Sequence, residues 1–105
     1  MATRKSIVWG DIAKIQFKKI NQYYYDNVGN TIFCEKLTKE VDHVLHLISE
    51  NHFIGKPIPK TKFRSIIVYS YAIIYEIKDK EIYFLLFWDT HRDPEILKIL
   101  LSELF

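Results

Sequence analysis

Apolar positions follow a period near 3.6 in the first half of the chain and a period of two in the second. Arg4 to Trp9 is short and β-prone, and Gly10-Asp11 stops it. Asp11 is a suitable helix N-cap. Ala13, Phe17, Ile20 and Tyr24 then recur at spacings of four, three and four, which makes one helical stripe. Lys14, Lys18 and Lys19 lie off it. Asn27-Val28-Gly29-Asn30 breaks the pattern; Gly29 suits a left-handed helix terminus and Asn30 can cap the next helix. That second helix is predicted from about Thr31 to Glu50. Its apolar face is Phe33, Leu37, Val41, Val44, Leu45 and Ile48. The short break favours an antiparallel helical hairpin, whose joint apolar face needs a sheet to cover it.

His52 to Thr61 reads as irregular, with Gly55, Pro57 and Pro59 as breakers. From there the alternation predicts strands at about Phe63–Val68 and Tyr71–Lys78, joined at Tyr69-Ser70 without a glycine. Lys78-Asp79-Lys80-Glu81 is a charged hairpin turn. The strand after it, about Ile82 to Trp88, is apolar on both faces, as a central strand is. Asp93-Pro94-Glu95 starts a last helix, with a capping aspartate, proline at the first helical position and an acid in the first turn. That helix is too apolar to stand alone in water. The expected architecture is one α+β domain over residues 1–105. In it an N-terminal helical hairpin packs on a twisted, mainly antiparallel sheet of about four strands, with a C-terminal helix.

Composition narrows the function classes. A hydrophobic fraction of 49% excludes a disordered chain at this charge level. The net charge of +2 does not by itself mark a nucleic-acid binder. Its distribution says more. From Asn51 to Tyr75 there is no acidic residue, while Lys56, Lys60, Lys62 and Arg64 cluster at the entry to the sheet. Such a local patch can contact phosphates. The single cysteine, Cys34, excludes an intramolecular disulfide and a four-cysteine zinc site. The amino terminus lacks the apolar stretch of a signal peptide, and no apolar run reaches the roughly 18 residues of a membrane span. A cytoplasmic protein with no membrane association is expected.

Several residues are candidates for chemistry. Arg64 opens a strand at the end of the lysine-rich loop. Its fixed guanidinium fork suits a phosphate or a partner carboxylate, and a surface ion pair is the plainer alternative. His91-Arg92 ends the last strand. The imidazole can act as general acid or base, and the guanidinium can stabilise a pentavalent phosphate. Alternatively Arg92 pairs with Asp89 or Asp93 and His91 is merely exposed. Lys56, Lys60 and Lys62 form a credible RNA-backbone contact beside Arg64, with ordinary solvation the alternative for each. Tyr71 can stack on a base or donate a proton, against a core role. His43 and His46 stand three apart beside Asp42, but the remaining ligands of a metal site cannot be named. No metal and no cofactor are expected. Cys34 reads as a small core residue.

The stretch FRSIIVYSYAIIYEIKDKEIYFLLFWDTHRDPEIL, preceded by two helices, resembles the RelE/ParE superfamily of type II toxin–antitoxin toxins, which includes plasmid stabilisation proteins. The resemblance runs from about Ile7 to Leu97. It implies a cognate small acidic antitoxin as partner. It also implies one of two activities. RelE-like members cut mRNA on the ribosome as metal-independent endoribonucleases, by 2′-hydroxyl attack. Carried onto this chain, that reading places catalysis at His91, Arg92 and Arg64, with Lys56, Lys60, Lys62 and Tyr71 binding nucleic acid. ParE-like members inhibit DNA gyrase without enzymatic activity. A decayed toxin that only binds antitoxin is a third reading. Two departures weaken the nuclease pattern: Ala72 stands where RelE has an arginine, and Leu97 where it has a tyrosine. The slight preference is for mRNA cleavage, with gyrase inhibition close behind.

Overall fold

The computed structural model describes residues 4–28 and 31–104. The elements run β1 (Ser6–Trp9), α1 (Asp11–Val28), α2 (Thr31–Glu50), β2 (Lys56–Pro57), β3 (Phe63–Val68), β4 (Tyr71–Ile77), β5 (Glu81–Asp89) and α3 (Pro94–Leu104). The cap expected at Gly29 and Asn30 lies outside the described residues. The strands form one sheet in the order β1-β5-β4-β3-β2. β1 runs parallel to β5, and the other pairings are antiparallel. This is the expected α+β layout with five strands in place of four. The additional strand, β2, has two residues, too few to show any period. It contains Pro57, which an edge position tolerates because the missing N–H faces outward.

Both faces of the sheet are covered. The helical hairpin buries Leu37, Val41, Val44 and Ile48 against Val68, Ile73, Tyr75, Ile82, Phe84 and Phe87. On the other face, Leu97 and Leu101 of α3 join Phe63, Ile74, Leu85, Leu86 and Trp88. β5 is therefore enclosed on two sides, which is why its sequence shows no alternation. A bulge adds to this. Ile74 pairs with Leu86 and Tyr75 with Phe84, so Leu85 is an extra residue. The inserted residue reverses the in/out parity, which puts both Phe84 and Phe87 under the helices.

The helix ends follow local chemistry. Lys14 N–H donates to Gly10 C=O at 3.1 Å, so Gly10 takes the cap position and Asp11 becomes the acid of the first turn. Gly10 N–H also donates to Phe84 C=O at 2.8 Å, closing the β1–β5 pairing. A Cβ there would lie 3.0 Å from that carbonyl oxygen and 3.0 Å from the Tyr83 hydroxyl, so a side chain at this position would crowd the pairing. At the start of α3, the Asp93 carboxylate accepts from Glu95 N–H at 2.9 Å, the cap that the sequence predicts. α1 is also fastened to β5. The Gln16 amide donates to Phe87 C=O at 3.0 Å and accepts from Phe87 N–H at 2.7 Å, just beyond the reach of β1.

The β3–β4 join is a two-residue turn, because Val68 pairs directly with Tyr71. Tyr69 supplies the positive φ, 56°, that such a hairpin needs and that glycine usually provides. Holding a tyrosine there costs about 1–3 kcal/mol. Its half-exposed ring packs beside Phe33 of α2, with ring centroids 5.6 Å apart.

Candidate functional site

The two ends of the β3–β4 hairpin hold most of the candidate residues. At one end Arg64 pairs in register with Tyr75. Tyr75 is fully buried. Its hydroxyl donates to His52 C=O at 2.9 Å and accepts from Gly55 N–H at 2.9 Å. Burial pushes its phenol above the usual tyrosine range. The Arg64 guanidinium donates to Gly55 C=O at 2.8 Å and lies over the Phe53 ring, 4.9 Å from its centroid. Arg64 therefore ties the loop after α2 to the sheet, a role distinct from either sequence reading. Gly55 is dictated by the same contact: a Cβ there would lie 2.6 Å from the Tyr75 hydroxyl and 2.8 Å from Ser65 C=O.

At the other end Tyr71 pairs in register with Asp89. The Asp89 carboxylate accepts from His91 N–H at 2.9 Å and lies 2.9 Å from His91 Nδ1. These bonds, the backbone one first, hold the Asp89 carboxyl below the usual range. The His91 ring is otherwise exposed, which leaves Nε2 toward solvent. Arg92 pairs with neither Asp89 nor Asp93. Its guanidinium lies over the Trp88 ring at 4.6 Å, a cation–π contact. Tyr71 is half-buried and edge-on to Phe87. Burial first, and then a hydroxyl hydrogen bond with Tyr24, push its phenol far above the usual range.

His91 and Arg92 are chain neighbours at one corner, and the sheet does not bring Arg64 to them. Tyr71 and Tyr75 are four residues apart on β4, about 13 Å, and β3 and β5 are two strand spacings apart, roughly 10 Å. Arg64 also shares the helical-hairpin face with Tyr75, whereas Arg92 stacks on a residue of the α3 face. The lysines lie with Arg64. Lys62 pairs with Glu76 at 3.3 Å, while Lys56 and Lys60 are exposed, Lys60 at a φ of 63°. Tyr71 belongs to the His91 end.

The remaining candidates have structural surroundings. His46 and Arg4 both reach the Glu50 carboxylate at 2.8 Å, which clamps the end of α2 to the segment before β1. His43 is exposed. Among the described residues, no three His, Cys, Asp or Glu side chains are grouped to hold a metal. Cys34 is half-buried, its thiol donating to Asn21 C=O at 3.5 Å. No helix among the described residues is long and apolar enough to cross a membrane. Sequence reasoning missed Tyr75, Gly55 and Gln16, whose roles depend on partners more than fifteen residues away. Asp89 had a local signal: an aspartate two residues before His91 suits a side-chain-to-backbone turn.

The fold is that of a small α+β toxin of the ParE type. The model of the ParE toxin of type II toxin–antitoxin systems (parDE) matches residues 7–94, and the chain belongs to that family, within the RelE/ParE superfamily. A solved structure described as the chromosomal ParDE toxin–antitoxin system from P. aeruginosa is similar in fold, with a TM-score of 0.69. It is 18% identical and covers 82% of this chain and 96% of its own. No curated protein sequence matches significantly.

Proposed function

We propose that this toxin acts by binding its target, as an inhibitor of DNA gyrase, and is neutralised by a small acidic antitoxin that orders on it. The observation that carries this reading is the dispersal of the candidate catalytic groups. Arg64 is hydrogen-bonded into the fold about 13 Å along the sheet and two strands away from His91, and Arg92 is stacked on Trp88. General acid–base chemistry on a phosphodiester needs its proton-transfer groups and cations around one atom. Inhibition by binding needs no such set. The match to the ParE family supports the same choice, as does the absence of the RelE-like arginine and tyrosine at Ala72 and Leu97.

One observation favours the second reading, ribosome-dependent mRNA cleavage. Asp89 orients the exposed His91 ring through Nδ1, an arrangement that would let Nε2 transfer a proton. In that reading Arg92 supplies charge, Tyr71 and the lysines at 56, 60 and 62 contact RNA, and Arg64 holds the loop that carries Lys56. Adding the purified chain to a gyrase supercoiling assay and to programmed ribosomes separates the two. The expected result is loss of supercoiling with intact mRNA, unchanged in His91→Ala. Ribosome-dependent cuts that vanish in His91→Ala would overturn the gyrase reading.

A further inference from the structure

Charge is segregated along the chain. The stretch from Asn51 to Tyr75 holds four of the 15 basic residues and none of the 13 acidic ones, which leaves 11 basic against 13 acidic in the rest. The net charge of +2 therefore divides into +4 at one edge of the sheet and −2 elsewhere. The fold gathers three of the four cations on one surface. Phe63 faces α3, so Ser65, two residues on, does too, and Lys56, paired with Ser65 across the strands, shares that face. Glu76 pairs in register with Phe63, and Lys62 reaches it at 3.3 Å on the same side. Lys60 and Lys62 line an open notch of about 210 Å³ with Leu101 and Ser102 of α3. Arg64, the fourth cation, is on the opposite face with Tyr75.

Lys56 and Lys60 are exposed, and no carboxylate among the described residues is within ion-pair distance of either. Lys62 has Glu76, yet its side chain is 60% exposed. The loop that carries them is stiff. Pro57 and Pro59 fix two φ angles. Ile58 N–H donates to Phe63 C=O at 2.9 Å, and Thr61 N–H and hydroxyl donate to Ile58 C=O at 3.2 and 2.8 Å. Phe63 N–H donates to Thr61 Oγ1 at 3.1 Å. Lys60 is held at a φ of 63°, where a residue other than glycine is uncommon. The backbone that presents the ammonium groups is thus ordered before any partner arrives, which lowers the entropy that binding costs. The apolar side chains of the loop, Ile58 and Phe63, turn inward, and from Lys56 to Ser65 no large apolar side chain is exposed. A protein hot spot needs such an anchor, and lysine is depleted there. A phosphate backbone needs only the cations.

We propose that Lys56, Lys60 and Lys62 contact the phosphates of duplex DNA held by gyrase, so that the toxin docks on the enzyme–DNA complex. The proposal rests on the gyrase reading and adds a nucleic-acid component to the target. The Cα atoms of Lys56 and Lys62 are roughly 11 Å apart, three residues along β3 and one strand spacing across it. At about 3.4 Å per nucleotide, that span covers roughly three phosphates of one strand.

The test measures binding of the full chain to gyrase with and without a bound DNA duplex, and to programmed ribosomes, over a series of salt concentrations. Wild type is compared with two triple variants. One carries Lys56→Gln, Lys60→Gln and Lys62→Gln. The other carries Lys14→Gln, Lys18→Gln and Lys19→Gln, which removes the same charge from the exposed side of α1. Thermal melts establish equal folded fractions. Wild type should bind the gyrase–DNA complex at least roughly tenfold tighter than DNA-free gyrase. The slope of log Kd against log salt should fall by about 2–3 in the loop variant, at about 0.9 for each phosphate contact, and by less than about 1 in the α1 variant. Equal slopes in the two variants overturn the proposal, as does equal wild-type affinity with and without DNA. An equal loss on DNA-free gyrase assigns the lysines to carboxylates of the enzyme, and a loss confined to ribosomes assigns them to RNA; each overturns the DNA contact. If wild type binds gyrase in neither form and leaves supercoiling intact, the gyrase reading itself fails, and the proposal with it. Failure of the proposal alone leaves supercoiling inhibited.

Discussion

At the Tyr75 end of the sheet, the polar groups that join Arg64 and Tyr75 to the loop are partnered within the chain, a hydroxyl between two backbone groups and a guanidinium on a carbonyl, beside a glycine with no room for a methyl group; His52 Nε2, buried without a partner, is the exception. At the Tyr71 end, the same residue types stand in the open. His91 holds one carboxylate and otherwise faces solvent, and Tyr69 is held at a costly positive φ with its ring half-exposed. Arginine, histidine and tyrosine mark both ends in the sequence. Satisfaction of their hydrogen bonds distinguishes a rigid joint from a surface free to meet a partner. Local strain retained at an exposed aromatic fits the second description.

The largest expected effect tests the closed end. Gly55→Ala forces a methyl group to within 2.6 Å of the Tyr75 hydroxyl, and should destabilise the protein by about 3 kcal/mol through overpacking and loss of that bond. Urea unfolding measures it, and a loss under about 1 kcal/mol would mean that the joint is soft. Tyr75→Phe comes next, at about 2 kcal/mol, because it leaves Gly55 N–H and His52 C=O buried without partners. The pH dependence has a definite sign. Burial raises the Tyr75 pKa in the folded state, so its contribution is complete below the unfolded value of about 10 and is lost as pH rises through the folded value. Tyr75→Phe should flatten that alkaline limb in thermal melts, and an unchanged limb would assign it to Tyr71 instead.

Arg64→Met should cost about 1 kcal/mol, from the Gly55 carbonyl bond and the Phe53 contact. In the gyrase reading, toxicity persists at matched folded protein levels; abolished toxicity would give Arg64 a role at the target. The smallest effects belong to the open end. His91→Ala should leave stability at neutral pH within about 0.5 kcal/mol. Asp89 has a depressed folded-state pKa, so its contribution is present above the unfolded value of about 3.9 and is lost as pH falls through the folded value. Asp89→Asn should flatten the acid limb of the melting profile. His91→Ala should flatten it only partly, because the residue-91 backbone N–H, the main cause, remains.

Much of the fold is legible in the chain. The stripes of α1 and α2 name the residues that face the core, fully buried along α2 from Leu37 to Ile48 and at Ala13, and partly buried at Phe17, Ile20, Tyr24 and Phe33, since a 3.6-residue period records which face meets the core. The Asp-Pro-Glu start of α3 is read correctly because capping is local chemistry. The Tyr69-Ser70 join falls where expected although its turn residue is unusual. β2 escapes notice because two residues carry no period. The bulge at Leu85 escapes because β5 is apolar on both faces, which conceals a change of parity. The candidate site is less legible. The sequence places His91 beside Arg92, but Arg64 is near neither of them in the folded sheet.

The sequence by itself determined the α+β class, the order of the elements and the resemblance to the toxin superfamily. All three depend on periodicity, caps and turn residues within a few positions of one another. Only the tertiary structure decided which cations are free. Arg64, Lys62 and Arg92 find their partners at Gly55, Glu76 and Trp88 through strand register, loop closure and ring stacking. It also decided that β1 lies at an open edge while Pro57 closes the other. Hydrogen bonding and burial depend on distances between residues far apart in the chain, and residue type alone carries no record of them.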